Sequence, residues 1–204
     1  MRKRRHASCS KGDLLGLDQH FYDTVAANPV IAAVKDFEGL EHCLAEEDIQ
    51  VVFVLFGDIC NISEIIERIK TAGKMALVHV DLITGLSNKE VAVDFIQRNT
   101  LADGIISTRQ SFIRRARDLH LYTILRVFVI DSIALSSLEK LESVRPDFIE
   151  ILPGVMPKTI RKVCAITSIP VLAGGLIADK EDVMNALEAG ATAISTTNQQ
   201  VWQM

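Results

Sequence analysis

Long apolar runs are missing from this sequence. No stretch approaches the roughly 18 uninterrupted apolar residues that a spanning helix needs, which excludes a membrane-crossing segment. Cysteine is scarce as well. Cys9, Cys43, Cys60 and Cys164 form no C-x-x-C pair, and none sits beside a histidine at zinc-finger spacing. They read as reduced thiols, mostly core filler, in a cytoplasmic protein. The basic start is followed by no apolar stretch of the required length, so it does not read as a signal peptide. No G-x-G-x-x-G follows the first apolar run, which removes the main sign of a dinucleotide-binding sheet. Charge of one sign is also in short supply. With 22 Lys+Arg against 26 Asp+Glu the net charge is −4, and 49% of residues are hydrophobic, which excludes a disordered chain. Mild acidity argues against coating nucleic acid over the whole surface. The basic residues are unevenly placed, however. Setting aside Arg2, Lys3, Arg4 and Arg5 takes the remainder from −4 to −8.

What is present is regular. Residues 1 to 28 are polar and weakly patterned, with one weak apolar pair, Leu14 and Leu15, and read as a tail or a covering segment. From Pro29 to Met204 a single domain is expected. Short apolar runs begin near Pro29, Val51, Met75, Asp103, Tyr122, Phe148, Val171 and Thr192, spaced 19 to 28 residues apart. They are rich in β-branched residues and too short for helices. Helical stretches lie between them. Asn61 with Glu64 and Ser87 with Glu90 have capping-box spacing, ahead of apolar faces at Ile62, Ile65, Ile66, Ile69 and at Val91, Phe95, Ile96. Pro157 suits a first helical turn, and Asp179 suits a cap before Val183 and Leu187. Eight strand–helix units in strict alternation predict parallel strands and right-handed crossovers. The 176 residues from Pro29 give 22 per unit, enough for a compact (β/α)8 TIM-like barrel with short loops and truncated helices. An open doubly wound sheet is the competing arrangement.

Barrels bind ligands at the C-terminal ends of their strands. Those ends are predicted at Lys35-Asp36, Gly57-Asp58, His79-Val80-Asp81, Ser107-Thr108-Arg109, Asp131, Pro153-Gly154, Ala173-Gly174-Gly175 and Thr196-Thr197-Asn198. Alternation along the fifth and sixth strands points Arg126 and Glu150 into the lumen, where a buried carboxylate needs a partner. The pair serves either the core alone or a ligand. His79 and Asp81 share a face and suit a ligand's hydroxyl groups, unless Asp81 caps the following turn. No third ligand stands at fixed spacing, so no metal is expected. Gly174 and Gly175, with Thr197 and Asn198 about 20 residues later, suit the phosphate site that barrels build after strands seven and eight. A tight turn with a polar cap gives the same residues. Arg114 and Arg117 share a face of the helix predicted over 110–119. They are either RNA-phosphate contacts or a solvated face, with no aromatic residue interleaved.

The stretches His79–Leu86, Asp103–Arg109, Arg126–Asp131, Pro146–Gly154, Ile169–Gly175 and Ala191–Thr197, with Asn198 and Trp202, resemble the glycerol uptake operon antiterminator regulatory proteins. The resemblance spans Pro29 to Trp202. It implies a compact barrel that binds glycerol-3-phosphate and acts on leader mRNA, letting transcription pass a terminator. It implies a phosphate end at Gly174, Gly175, Thr197 and Asn198, and polar pocket positions at Lys35, His79, Asp81, Arg126 and Glu150. On this reading the chain is a regulator with an effector and no cofactor, not an enzyme, and homo-oligomerisation stays open. The alternative is a small barrel enzyme acting on a phosphorylated three-carbon or sugar substrate by acid/base chemistry through His79, Asp81 or Glu150. Fold alone does not choose between them.

Overall fold

The valine- and isoleucine-rich runs become strands because branched side chains pack well on a pleated sheet that is covered on both faces. They are β1 (Val30–Val34), β2 (Val51–Val54), β3 (Met75–His79), β4 (Gly104–Ser107), β5 (Tyr122–Phe128), β6 (Phe148–Leu152), β7 (Val171–Gly174) and β8 (Ala193–Thr196). In this computed structural model every strand pairs in parallel with the next, and β8 returns to β1, giving the predicted closed eight-stranded barrel rather than the open sheet. The structure describes residues 11–138 and 144–204, with side chains from residue 19 onward except residue 137. The cluster Arg2–Arg5, Cys9 and the side chains of Leu14 and Leu15 lie outside those described.

Nine α-helices are described: α1 (Lys11–Ala27), α2 (Phe37–Ala45), α3 (Ile62–Thr71), α4 (Val91–Asn99), α5 (Gln110–Asp118), α6 (Ser132–Leu138), α7 (Pro157–Ile166), α8 (Lys180–Glu188) and α9 (Gln199–Trp202). The last is a single turn, the truncation that units of this length require. Strand residues alternate between two cores. Val34, Val54, Val78, Ile105 and Ile149 face the helices and meet Leu40, Ile66, Ile96 and Val163. Ile31, Phe53, Leu77, Ile106, Ile124 and Leu172 fill the lumen. The N-terminal end of the lumen is closed by α1. Phe21 and Val25, four apart on one helical face, are fully buried there. The Phe21 ring stacks on Tyr122 at 4.4 Å and meets Phe148 edge-on at 5.1 Å.

Several local expectations need correction. Asn61 does not cap α3 with its side chain; its Oδ1 accepts from the Asp58 N–H instead, and Asp58 Oδ1 accepts from the N–H groups of Cys60 and Asn61. The earlier carboxylate wins because the chain turns at Gly57, with φ +112°, before the helix begins. The box at Ser87 and Glu90 is likewise not formed, and Val91 is exposed while Ala92, Val93 and Ile96 are buried. Strands two and five stop at Val54 and Phe128, short of Gly57 and Asp131. Cys43 is core, whereas Cys60 is exposed. Asp179 does cap α8, its Oδ1 accepting from the Asp182 N–H at 2.9 Å.

Candidate functional site

The polar groups of the lumen lie at its C-terminal end, above the apolar layers. Arg126 of β5 and Glu150 of β6 are direct neighbours in register. Both point inward because Leu125, Ile149 and Ile151 occupy the helix-facing positions. Arg126 Nε donates to Glu150 Oε2 at 2.6 Å, and the carboxylate is fully buried. Glu150 Oε1 accepts from Ser195 Oγ of β8 at 2.5 Å. The carboxylate therefore reaches across β7, which it can do only because residue 174 is glycine. A Cβ at Gly174 would lie 2.5 Å from Glu150 Oε1 and 2.6 Å from Ser195 Oγ. Arg126, Glu150 and Ser195 form a belt around half the lumen, with its charges matched.

The guanidinium of Arg126 has only its Nε engaged in a hydrogen bond among the described residues. Its side chain borders a cleft of about 430 Å³ at the barrel mouth. The cleft is walled by Ala33, Leu55, Leu152, Leu176 and Ile177, and rimmed by Gly175, Ser195, Thr197 and Asn198. A concave space with apolar walls, one cation and a polar rim fits a small anion with a short carbon chain.

His79 ends β3 with its ring in the lumen and 3% of its surface exposed. Its Nδ1 is buried and has no hydrogen-bond partner among the described residues, standing 3.7 Å from Asp81 Oδ2. Burial, and then the positive charge of Arg126, push its pKa down to about 4, against the opposing pull of Asp81. The imidazole is therefore neutral near pH 7. His79 does not itself line the cleft, but it is near enough to Arg126 to feel its charge, and an unsatisfied buried polar atom is costly unless something arrives to meet it.

The other expected site residues divide. Gly175, Thr197 and Asn198 border the cleft, whereas Gly174 lies beneath it with the Glu150 carboxylate in its missing side chain's place. Gly175 has φ +74°, a left-handed backbone conformation that favours glycine. The amide of Asn198 is already used: Oδ1 accepts from the Gln200 N–H and Nδ2 donates to the Ala178 carbonyl. Lys35 is exposed at the end of β1 and does not border the cleft. Asp81 does not cap its own turn. It accepts from Ser107 Oγ at 3.0 Å and the Thr108 N–H at 2.8 Å, and pairs with Arg109 at 3.4 Å, so it fastens the end of β4 to the end of β3. Ser195, part of the polar cluster at the end of the eighth strand, spends its hydroxyl on Glu150. The alternation Ala193, Ser195 along β8 was the sign that it faces the lumen.

Arg114 and Arg117 do not form a free basic patch. Arg117 donates to the backbone carbonyls of Val144 and Arg145 just before β6, so it fastens α5 to that segment. Arg114 is exposed, with a long contact to Gln110 at 3.4 Å. Among the described residues no group of three or more metal-type ligands comes together.

Comparison with known proteins agrees with the fold and the order of these segments. A family model described as glycerol-3-phosphate responsive antiterminator matches residues 30–202. The chain is 48% identical over 178 residues to the uncharacterized protein YgcP of Escherichia coli K12, covering 87% of this chain and 93% of that one. Its structure is similar to a glycerol uptake operon antiterminator regulatory protein from Listeria monocytogenes, with TM-score 0.82 and 34% identity over 85% of this chain and 94% of the other. It is also similar to a glycerol uptake operon antiterminator-related protein from Thermotoga maritima, with TM-score 0.77 and 32% identity over 87% and 99% of the two chains.

Proposed function

Because the chain belongs to the glycerol-3-phosphate responsive antiterminator family, a family of regulators rather than enzymes, we propose that it senses glycerol-3-phosphate and acts on a leader transcript in the cytoplasm. The observation that carries this reading is the mouth cleft, with Arg126 in its wall and the unsatisfied Nδ1 of His79 close to that guanidinium. The phosphate is read by the guanidinium and by the backbone around Gly175, with the Thr197 hydroxyl as a further donor. The glycerol hydroxyls are read by His79, whose neutral ring offers one donor and one acceptor. Glu150 does no chemistry on the effector. It holds Arg126 in place and is itself held by Ser195. The apolar wall of Leu55, Leu152 and Ile177 excludes water and strengthens the charge–phosphate attraction.

Single-round transcription across the leader terminator of a glycerol-catabolism operon tests this reading. Protein together with glycerol-3-phosphate is expected to raise read-through, while protein with glycerol is not. Read-through that ignores glycerol-3-phosphate contradicts it.

A further inference from the structure

Seven of the sixteen described cations are tied to acids or carbonyls of the fold. Arg68 pairs with Glu41, Lys70 with Asp103, Arg109 with Asp81, Arg115 with Asp94 and Arg126 with Glu150. Lys74 is buried on the carbonyls of Glu46 and Ile49, and Arg117 is held by backbone carbonyls. Helix α7 differs. Its sequence, PKTIRKVCAI, holds three cations and no acid. Lys158, Arg161 and Lys162 are spaced three and four residues apart, so they share one face, and all three are exposed. None pairs with an acid among the described residues. The opposite face buries Ile160 and Val163 against the barrel, so the basic face is presented outward on a fixed helix.

The place of α7 adds a second observation. The connection that launches it leans on the two glycines at the mouth. The Gly154 N–H donates to the Gly175 carbonyl at 3.0 Å, and a Cβ at Gly154 would lie 2.9 Å from the Gly174 nitrogen. Gly175 borders the cleft, so the Gly154 hydrogen bond links the cleft wall to the connection three residues ahead of α7. By contrast, the arginines of α5 either point into ion pairs and carbonyls or stand alone.

We propose that the Lys158–Arg161–Lys162 face of α7 is a contact surface for the sugar-phosphate backbone of RNA. The proposal rests on the antiterminator reading and names the surface that would meet the transcript. The chemistry is that of phosphate neutralisation: three cations along one helical face, with no acid partner among the described residues. Such a face recognises the shape and charge of a folded RNA rather than its bases. The net charge of −4 disfavours generic polyanion binding, whereas α7 gathers three exposed cations on one face.

The test uses the full chain, a labelled RNA hairpin with a stem of about 16 base pairs, and fluorescence anisotropy between about 50 and 200 mM salt. The charge reversal Lys158→Glu, Arg161→Glu, Lys162→Glu is expected to weaken binding at least tenfold. It should reduce the slope of log affinity against log salt by about two to three, at about 0.9 per lost phosphate contact. Arg114→Glu is expected to change neither. The milder pair Arg161→Ala, Lys162→Ala should act in the same direction if the triple variant folds poorly. The thermal response to glycerol-3-phosphate should survive in all of these variants. A wild-type chain with no such response contradicts the effector reading while leaving the RNA result to be judged by itself. Unchanged RNA affinity in the α7 variants, no wild-type binding at low salt, or binding only to vesicles of anionic lipid overturns the proposal.

Discussion

The Glu150 carboxylate occupies the space that a side chain on Gly174 would need: a Cβ there would stand 2.5 Å from Glu150 Oε1. Passing over that glycine, the carboxylate accepts from Ser195 Oγ and so ties β6 to β8 across β7. It also means that the glycine at 174 is required by the protein's own carboxylate, whatever enters the cleft above. Gly174→Ala is expected to cost about 1–3 kcal/mol through overpacking against a group that cannot simply leave its hydrogen bonds. Equilibrium urea denaturation checks this, and unchanged stability would show that the carboxylate has room to move.

The Arg126–Glu150 pair is buried, so its halves are not independent. Glu150→Leu alone strands a guanidinium and is expected to cost about 3–5 kcal/mol. The double change Arg126→Met, Glu150→Leu removes both charges and is expected to regain most of that loss while abolishing effector binding. A double-mutant cycle that returns no coupling would contradict the pairing.

His79 makes stability depend on pH. Its folded-state pKa of about 4 lies below the ordinary value of 6.5, so between them the unfolded chain takes up the proton more readily. Stability is whole above pH 6.5 and falls as pH drops toward 4, by at most about 1.4 kcal/mol per pH unit from this one group. His79→Gln is expected to flatten the slope in that window. Denaturation midpoints measured from pH 4 to 7 in both proteins decide it, and parallel slopes would count against a neutral buried ring.

Phe21 closes the lower end of the lumen against Tyr122 and Phe148. Truncation to alanine removes a fully buried ring, and a loss of about 3–5 kcal/mol is expected. In hydrogen exchange, α1 should lose protection before the strands do. A stability change within half a kcal/mol would mean that α1 is a loose cover.

The barrel was legible because its evidence is periodic: eight branched runs at even spacing leave little else to build. The lumen pair was legible for the same reason, since Ile149 and Ile151 force Glu150 inward. The caps at Asn61 and Ser87 were misread because spacing does not show which of several nearby acceptors a helix start will use, and Asp58 lies closer to its donors. Arg117 looked free because its partners are backbone carbonyls near β6, remote in sequence and invisible to a charge pattern. The basic face of α7 passed unnoticed because an exposed cation becomes informative only when the acids around it are known. Ser195 and Phe21 act through neighbours far along the chain, which only the closed barrel brings together.

Titration calorimetry of the full chain with glycerol-3-phosphate, and separately with glycerol, tests the effector site most directly, using wild type and Arg126→Lys. The lysine keeps the charge beside Glu150 but loses the planar fork. The account predicts saturable binding of glycerol-3-phosphate, no detectable binding of glycerol at the same concentrations, and at least tenfold weaker binding in Arg126→Lys. No heat from wild type at millimolar glycerol-3-phosphate, or equal affinity in the two proteins, would contradict it.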